Sequence, residues 1–591
     1  MKEEINEKKK IASLLAEATG NKEEDIESLI EVPPKMEMGD YAFPCFSFAK
    51  SMKKSPAQIA MDISKKANSA LSEKNYLFIE RVESTGPYLN FFLKKGIFAE
   101  KVLKEIIAKG DSYGSGEKKK DKVMVEFSDP NTHKAFHIGH LRNASIGDSL
   151  VRVMRFSGYN VTAANYIGDV GAHVGKCLWA LEKFHSGELG KIPKNERGEF
   201  LGQVYTDATK RIAEAEEKKD SSLKEEAALI AKKLEEGDSS LTKLWKETRE
   251  WSIEEFKRIY RELGINFDIY FFESEVEKKG KEIVSELLKK KIAEESRGAI
   301  IVDLKKYNLD VFLILRTDKT ALYATKDLGL AEDKFRKYEI DRSIYVVGSE
   351  QKMYFQQLFK TLELMGFPNA KKCYHLAHEL VMLEEGKMSS REGNVVTYGT
   401  LASEMMKKAE SEIEKRHPEW AKKEKEDTAK KIAIAAMKFS MLNQDNNKPI
   451  IFSIVKALDF EGETASYVQY ACTRASSILR KEKEENKKFI PAEEIKSADL
   501  SVLNSAEESA LIRKLSEFPS VISKATEEYK PFIIPKYLLE LSKQFSIFYR
   551  ECQIMKAEEK VKKARLILTE SARTVIANGL SLIGIPALER M

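Results

Sequence analysis

Cysteine is scarce: five residues in 591, widely separated and odd in number. Such a set offers neither a disulfide framework nor a cysteine-based zinc site, and it fits thiols kept reduced. Long hydrophobic runs are also missing. No stretch approaches the roughly 18 apolar residues of a membrane span. The opening MKEEINEKKK lacks the apolar segment of a signal peptide, so no membrane contact and a cytoplasmic location are expected. Net charge is low as well. The 99 basic against 94 acidic residues leave only +5, which does not by itself announce nucleic acid, although a basic face can coexist with acidic surface elsewhere. What the chain does have is bulk: 591 residues, 42% hydrophobic and 33% charged, are enough for a soluble globular protein of about three to five domains.

Histidine is rare too, eight in all, yet His133, His137 and His140 fall together. Just before them Val123, Val125 and Phe127 alternate with Met124, Glu126 and Ser128 as in a short strand, and Asp129, Pro130 and Asn131 break it with turn chemistry. From Leu141 onward Leu141, Ile146, Leu150, Val153 and Met154 predict a helix, stopped by Gly158 and Asn160. Strand, polar loop and helix make the first unit of a nucleotide-binding α/β domain, whose helix N-terminus points free N–H groups at a phosphate. At that junction two imidazoles can donate to a polyphosphate, and Gly139 lets a flat base approach the backbone; the combination suits ATP. A zinc-binding helix face is the alternative for histidines spaced by four and three. Pro130 and Gly139 argue against a continuous helix through all of them.

The sequence HIGH after a strand is the signature of class I aminoacyl-tRNA synthetases and some related nucleotidyltransferases. With its flanks VEFSDPNTHKAFHIGHLRN, and with NYIGDVGAHVG at 165–175, the chain closely resembles arginyl-tRNA synthetases, with gaps, along nearly its whole length. The resemblance implies an α/β Rossmann-like catalytic core with a parallel sheet, an N-terminal α+β domain and a C-terminal all-α helical bundle. The expected division is 1–112 for the N-terminal domain, which would bind the tRNA elbow, and 113–400 for the catalytic domain, with a helical connective insertion at about 180–297. A helical stem-contact region, 401–455, and an anticodon-binding domain, 456–591, follow. The residues support these divisions locally: a small, polar and charged linker runs from Gly110 to Lys122, and the charged helix-forming span from about 180 to 290 reads as an insertion outside the parallel core. The core is expected to resume with AIIVDLKKYNLDVFLILRTD, two strands joined by a polar loop, and with RSIYVVGSE.

A guanidinium is planar, always charged and rich in donors, so its pocket needs carboxylates and an aromatic wall. Glu126 and Asp327 are the acids on offer, and Tyr323 lies four residues before Asp327 on one helix face. By resemblance the arginine site comprises Glu126, Ser128, Asn131, His140, Tyr323, Asp327 and Gln351. Which acid meets the guanidinium stays open. EEGKMSSREGN at 384–394 resembles the KMSKS loop, with Gly386 and Gly393 as its hinges. Resemblance assigns Lys134, His137, Gly139, His140, Lys387, Ser389 and Ser390 to ATP. Ser390 departs from the pattern, since a second lysine is usual there; Lys134 is the expected substitute and Arg391 a further candidate. Asp129, where many relatives carry a small residue, adds a negative charge near the site.

The resemblance implies that Tyr88 and Asn90 contact a D-loop base and that Tyr467, Tyr470, Arg474, Tyr549 and Met591 contact the anticodon, for which stacking and edge recognition are the fitting chemistry. The expected partners are tRNA(Arg), L-arginine and ATP with Mg²⁺, with no protein-held metal, no zinc, and a monomeric enzyme. The expected reaction joins arginine to ATP as an adenylate and passes it to tRNA, the first step requiring tRNA. Two rivals stand beside it. An enzyme of the same class for cysteine or glutamate is opposed by the missing zinc constellation and by the paired acids. A tRNA-binding paralogue without catalysis is favoured only by Ser390.

Overall fold

In the N-terminal region, Gly86, whose φ of 55° suits a residue without Cβ, and Pro87 fold the chain back on itself. The strands on either side, β2 (Ile79–Thr85) and β3 (Tyr88–Leu93), pair antiparallel, and β1 (Tyr41–Pro44) adds to β3. Their inward residues Phe43, Val82, Leu89 and Phe91 meet Ile11, Leu15, Ile59 and Ile63 from the helices Glu7–Thr19 and Pro56–Ala70, forming one core. The computed structural model describes residues 7–33, 38–71, 76, 78–317, 321–384, 396–486 and 491–591. They divide into two units. The first holds Met1–Tyr113, Ala475–Glu517 and Lys543–Val575; the second holds Gly114–Arg474, Phe518–Ser542 and Ile576–Met591.

The second unit is built on strands β4 (Lys122–Glu126), β5 (Asn160–Ile167), β6 (Ile269–Phe272), β10 (Arg342–Gly348) and β11 (Cys373–His378), all parallel, in the order β11-β10-β4-β5-β6. The near-continuous apolar run of β4 fits a strand covered on both faces. The chain moves outward from β4 to β5 and β6 and then crosses to β10 on the other side, so a topological switch point opens beyond the carboxyl ends of β4 and β10. Glu126 ends β4, and the turn Ser349–Gln351 follows β10. Among the described residues no helix is long and apolar enough to cross a membrane.

Two expectations need correction. The AIIVDLKKYNLDVFLILRTD strands do not rejoin the parallel core: β8 (Ala299–Asp303) and β9 (Val311–Leu315) pair antiparallel with each other, and β7 (Glu294–Ser296) pairs with β8. A polar connection of a few residues can only turn a strand back, whereas parallel pairing needs a long crossover. Conversely, the charged span at 180–297 is not wholly outside the core, because β6 lies within it and pairs with β5.

The helix Ile138–Phe156 is buried along nearly its whole length, which requires its polar residues to find partners. Arg142 donates to the carbonyls of Glu379, Leu380, Asp445 and Lys448. Burial pulls its guanidinium down to about 10. Asp148 takes a 2.9 Å ion pair from the fully buried Lys438 of the helix Lys422–Leu442. These contacts hold the helix in place.

Candidate active site

Between β4 and the helix Ile138–Phe156 the backbone is unusual: Ser128, Asp129 and His133 have φ of 77°, 42° and 61°. Such conformations persist only where neighbours over-determine them. Here they do. The Ser128 N–H donates to Asn143 at 2.6 Å, and its hydroxyl bonds that of Tyr260 at 2.8 Å. Asp129 accepts the Tyr166 N–H at 2.8 Å, and the Thr132 N–H reaches the Gly168 carbonyl at 2.9 Å. Asn131 lies so close to Gly168 that a Cβ there would meet its side-chain oxygen at 2.2 Å. Both ring nitrogens of His133 are engaged, by Thr132 at 2.9 Å and Thr248 at 2.8 Å, and burial lowers its pKa to about 3. His133 is therefore a neutral structural residue, and the zinc-face alternative has no continuous helix to stand on. Among the described residues no group of three His, Cys, Asp or Glu side chains is arranged to hold a metal.

The helix begins at Ile138 with His137 as its N-cap. His137 Nδ1 accepts the N–H groups of Gly139 at 3.1 Å and His140 at 3.4 Å, while His140 Nδ1 accepts the His137 N–H at 3.2 Å. This is a capping box made of two imidazoles. Their rings stack at 3.8 Å. Since both Nδ1 atoms accept, both neutral rings carry their proton on Nε2 and offer it as a donor. Burial and Lys134 lower His137 to about 4; burial, His137 and Lys134 lower His140 well below the ordinary value. A Cβ on Gly139 would meet the His137 ring at 2.9 Å, so this glycine makes room for the cap itself.

At the switch point acids cluster within electrostatic reach of one another. Glu126 is 4% exposed and paired with Lys334 at 2.5 Å, and Glu273, the first residue after β6, is paired with Lys326 at 2.8 Å. Asp169 is paired with Arg249 at 2.7 Å. Asp327 makes no ion pair with any described residue; it accepts the Tyr354 hydroxyl. Burial raises Asp327 to about 7, with Glu126 and Glu273 pushing the same way and the Tyr354 hydroxyl and Lys334 opposing. Asp129 is likewise held well above the carboxylate range by burial and by Glu126. The Tyr166 hydroxyl is buried without a hydrogen-bond partner, within electrostatic reach of Asp327, Glu273 and Glu126.

The structure brings Glu126, Asn131, His137, Gly139 and His140 together around one junction and sets Asp327 within electrostatic reach of Glu126. Tyr323 is 56% exposed at the start of the helix Tyr323–Tyr338, and Gln351 is exposed in its turn. Ser128 is only 2% exposed and its hydroxyl is turned to Tyr260. Lys387, Ser389, Ser390 and Arg391, with Gly386 and Gly393, lie outside the described residues. The chain that follows is stitched to the histidine segment, Ile138 N–H to the Val396 carbonyl at 3.3 Å and Tyr398 N–H to the Phe136 carbonyl at 2.8 Å. In the first unit Asn90 is 5% exposed, its amide donating to Thr85 at 3.1 Å, and Tyr88 packs edge-on against Phe46 at 6.0 Å. Tyr470 is 37% exposed beneath the Arg474 guanidinium at 4.6 Å; Tyr467 and Met591 are half-buried and Tyr549 is exposed.

Sequence reasoning missed Tyr166, Glu273, Lys326, Lys334 and Tyr354. Glu273 follows a four-residue strand inside a charged span, but Tyr354 stands three residues beyond Gln351 and could have been found there.

A parallel sheet with a histidine-capped helix at its switch point is the frame of a class I aminoacyl-tRNA synthetase, and residues 102–454 match the family described as tRNA synthetases class I (R), catalytic domain. Residues 6–93 match the arginyl tRNA synthetase N terminal domain and residues 468–591 the DALR anticodon binding domain. The arginine–tRNA ligase of Halothermothrix orenii is 41% identical over 99% of this chain and 100% of its own, and that of Clostridium kluyveri 41% over 96% of each. The Thermus thermophilus arginyl-tRNA synthetase structure superposes with a TM-score of 0.78 at 26% identity, covering 98% of this chain and 99% of its own. The chain belongs to the arginyl-tRNA synthetase family, whose members attach arginine to tRNA(Arg).

Proposed function

We propose that the acid pocket seats arginine with its guanidinium on Asp327, between Tyr354, Tyr166 and Tyr323, and its α-amino acid end toward Glu126 and Asn131 beside the histidines. One observation carries this reading: half-buried Asp327 makes no ion pair with any described residue, whereas Glu126, Glu273 and Asp169 have theirs and Asp129 is engaged by the Tyr166 amide. A buried carboxylate in that state is costly unless a ligand supplies the charge. Arginine does so.

MgATP is the second substrate of this reading. The arginine carboxylate attacks the α-phosphorus; a bond from carboxylate oxygen to phosphorus forms, the bridging bond to the β-phosphate breaks, and pyrophosphate leaves. The Nε2–H groups of His137 and His140, the helix N-terminus, Lys134 and Lys387 offset the charge that grows on the phosphate oxygens. Neutral imidazoles suit this, because they donate without giving up a proton. A ribose hydroxyl of the tRNA terminus then takes the acyl group and AMP leaves. Ser389 and Ser390 belong to the loop over ATP, and Ser128 supports Asn143 and Tyr260 beneath the site. Tyr88 and Asn90 read the tRNA elbow, while Tyr467, Tyr470, Arg474, Tyr549 and Met591 read the anticodon. The enzyme works as a cytoplasmic monomer whose activation step needs tRNA.

The test is ATP–pyrophosphate exchange across the amino acids, with and without tRNA(Arg). Exchange with arginine alone among them, abolished in Asp327→Asn, supports the reading. Exchange that survives this substitution with an unchanged KM for arginine removes Asp327 from it.

A further inference from the structure

Lys134 and Lys176 share one aromatic ring. Their Nζ atoms lie 5.1 Å and 5.4 Å from the centroid of Tyr205, which the helix Arg197–Glu217 carries to the edge of the site. Both lysines are half-buried, and neither makes a hydrogen bond or ion pair with any described residue. Lys134 precedes the capping His137 by three residues, and Lys176 stands one turn after the buried His173 on the helix Ala172–Phe184.

Each half-buried ammonium group lies beside that ring without a paired carboxylate, and the quadrupole of a single tyrosine offsets only a small part of the cost of its desolvation. Elsewhere near the site the buried cations Lys326, Lys334 and Arg249 all have carboxylates at 2.8 Å or less. The Tyr205 pair has none. A neighbourhood that supplies acids to three cations and withholds them from two others is short of an anion at that spot. The Nε2–H donors of His137 and His140 serve the same kind of ligand, and Lys134 acts electrostatically on both rings.

We propose that Lys134, Tyr205 and Lys176 form a phosphate-binding clamp, in which Lys176 is a substrate-contacting residue and Tyr205 positions both ammonium groups. The inference rests on the reading of Lys134 given above. Its ligand is a phosphoryl group, either of ATP or of the 3′ end of tRNA, and Lys176 supplies part of the charge that Ser390 does not.

Steady-state kinetics on the full-length enzyme test it. Two arms are run: exchange with ATP varied at saturating arginine and tRNA, and aminoacylation with tRNA varied. Lys176→Gln is expected to cost about tenfold or more in kcat/KM for one of these substrates, the usual scale for removing a charge-assisted phosphate contact. The KM for arginine should stay put. A loss confined to ATP assigns the clamp to the triphosphate, and a loss confined to tRNA assigns it to the terminal phosphodiester; either supports the proposal. Lys176→Arg should recover most of the loss. Tyr205→Leu should weaken the same parameter, while Tyr205→Phe, which keeps the ring, should not. If Lys176→Gln leaves both parameters within about twofold while Lys134→Ala does not, the clamp is wrong and the ATP reading stands. If both variants are silent, the ATP reading of Lys134 falls with it.

Discussion

The two ends of the site solve opposite electrostatic problems in opposite ways. At the end proposed for arginine, Glu126, Glu273 and Asp169 are tied to internal cations, while Asp327 makes no ion pair with any described residue. At the phosphate end the polar groups are neutral imidazoles, backbone N–H groups and two lysines without acids. The difference shows how one cleft can hold a cation and a polyanion without either neutralising the protein beforehand: charge is cancelled where it is structural and left open where a substrate brings its counterpart.

The strongest way to break that contrast is to remove an internal cation. Lys334→Met strands the Glu126 carboxylate in the core and should cost about 3–5 kcal/mol, read as a large fall in the thermal transition of the second unit; an unchanged transition would mean the pair is not structural. Next is Asp327→Asn, which should raise KM for arginine by roughly a hundredfold or more, as for truncating one partner of a buried charge pair, with KM for ATP unmoved. At the opposite end His140→Ala should lower kcat about a hundredfold, as for the loss of one transition-state donor.

A gentler probe is pH. Asp327 is raised to about 7 by burial, so it gains a proton as pH falls through that value. Arginine needs the ionised form, and its KM should therefore rise below about pH 7, at most tenfold per unit, while KM for ATP stays level. Tyr354→Phe removes the hydroxyl that favours the ionised acid, and should shift this rise to higher pH, the smallest effect of the series. A shift to lower pH would contradict the assigned bond.

Much of this was legible in the residues. The alternation of β4, the turn at Asp129–Asn131 and the apolar spacing after Leu141 define strand, loop and helix, and the HIGH sequence marks the junction proposed to bind ATP. The sequence could not show that β6, a short half-buried strand within a charged span, closes the parallel sheet and delivers Glu273. Nor could it distinguish Lys326 and Lys334 from the solvated lysines that helices usually carry, since their acids come from distant segments. From the sequence Asp129 reads only as an added negative charge near the site; in the fold its carboxylate fastens the end of β5 through the Tyr166 amide.

Acidification bears on the shape of this enzyme as well as on its chemistry. His137 accepts helix N–H groups through Nδ1 only while unprotonated, and the fold holds that state down to about 4. An unfolded imidazole takes its proton near 6.5, so the contribution of the cap is whole above that pH and is lost progressively on descent toward 4. The same proton that would charge a proposed phosphate donor also unpins the start of the helix bearing it.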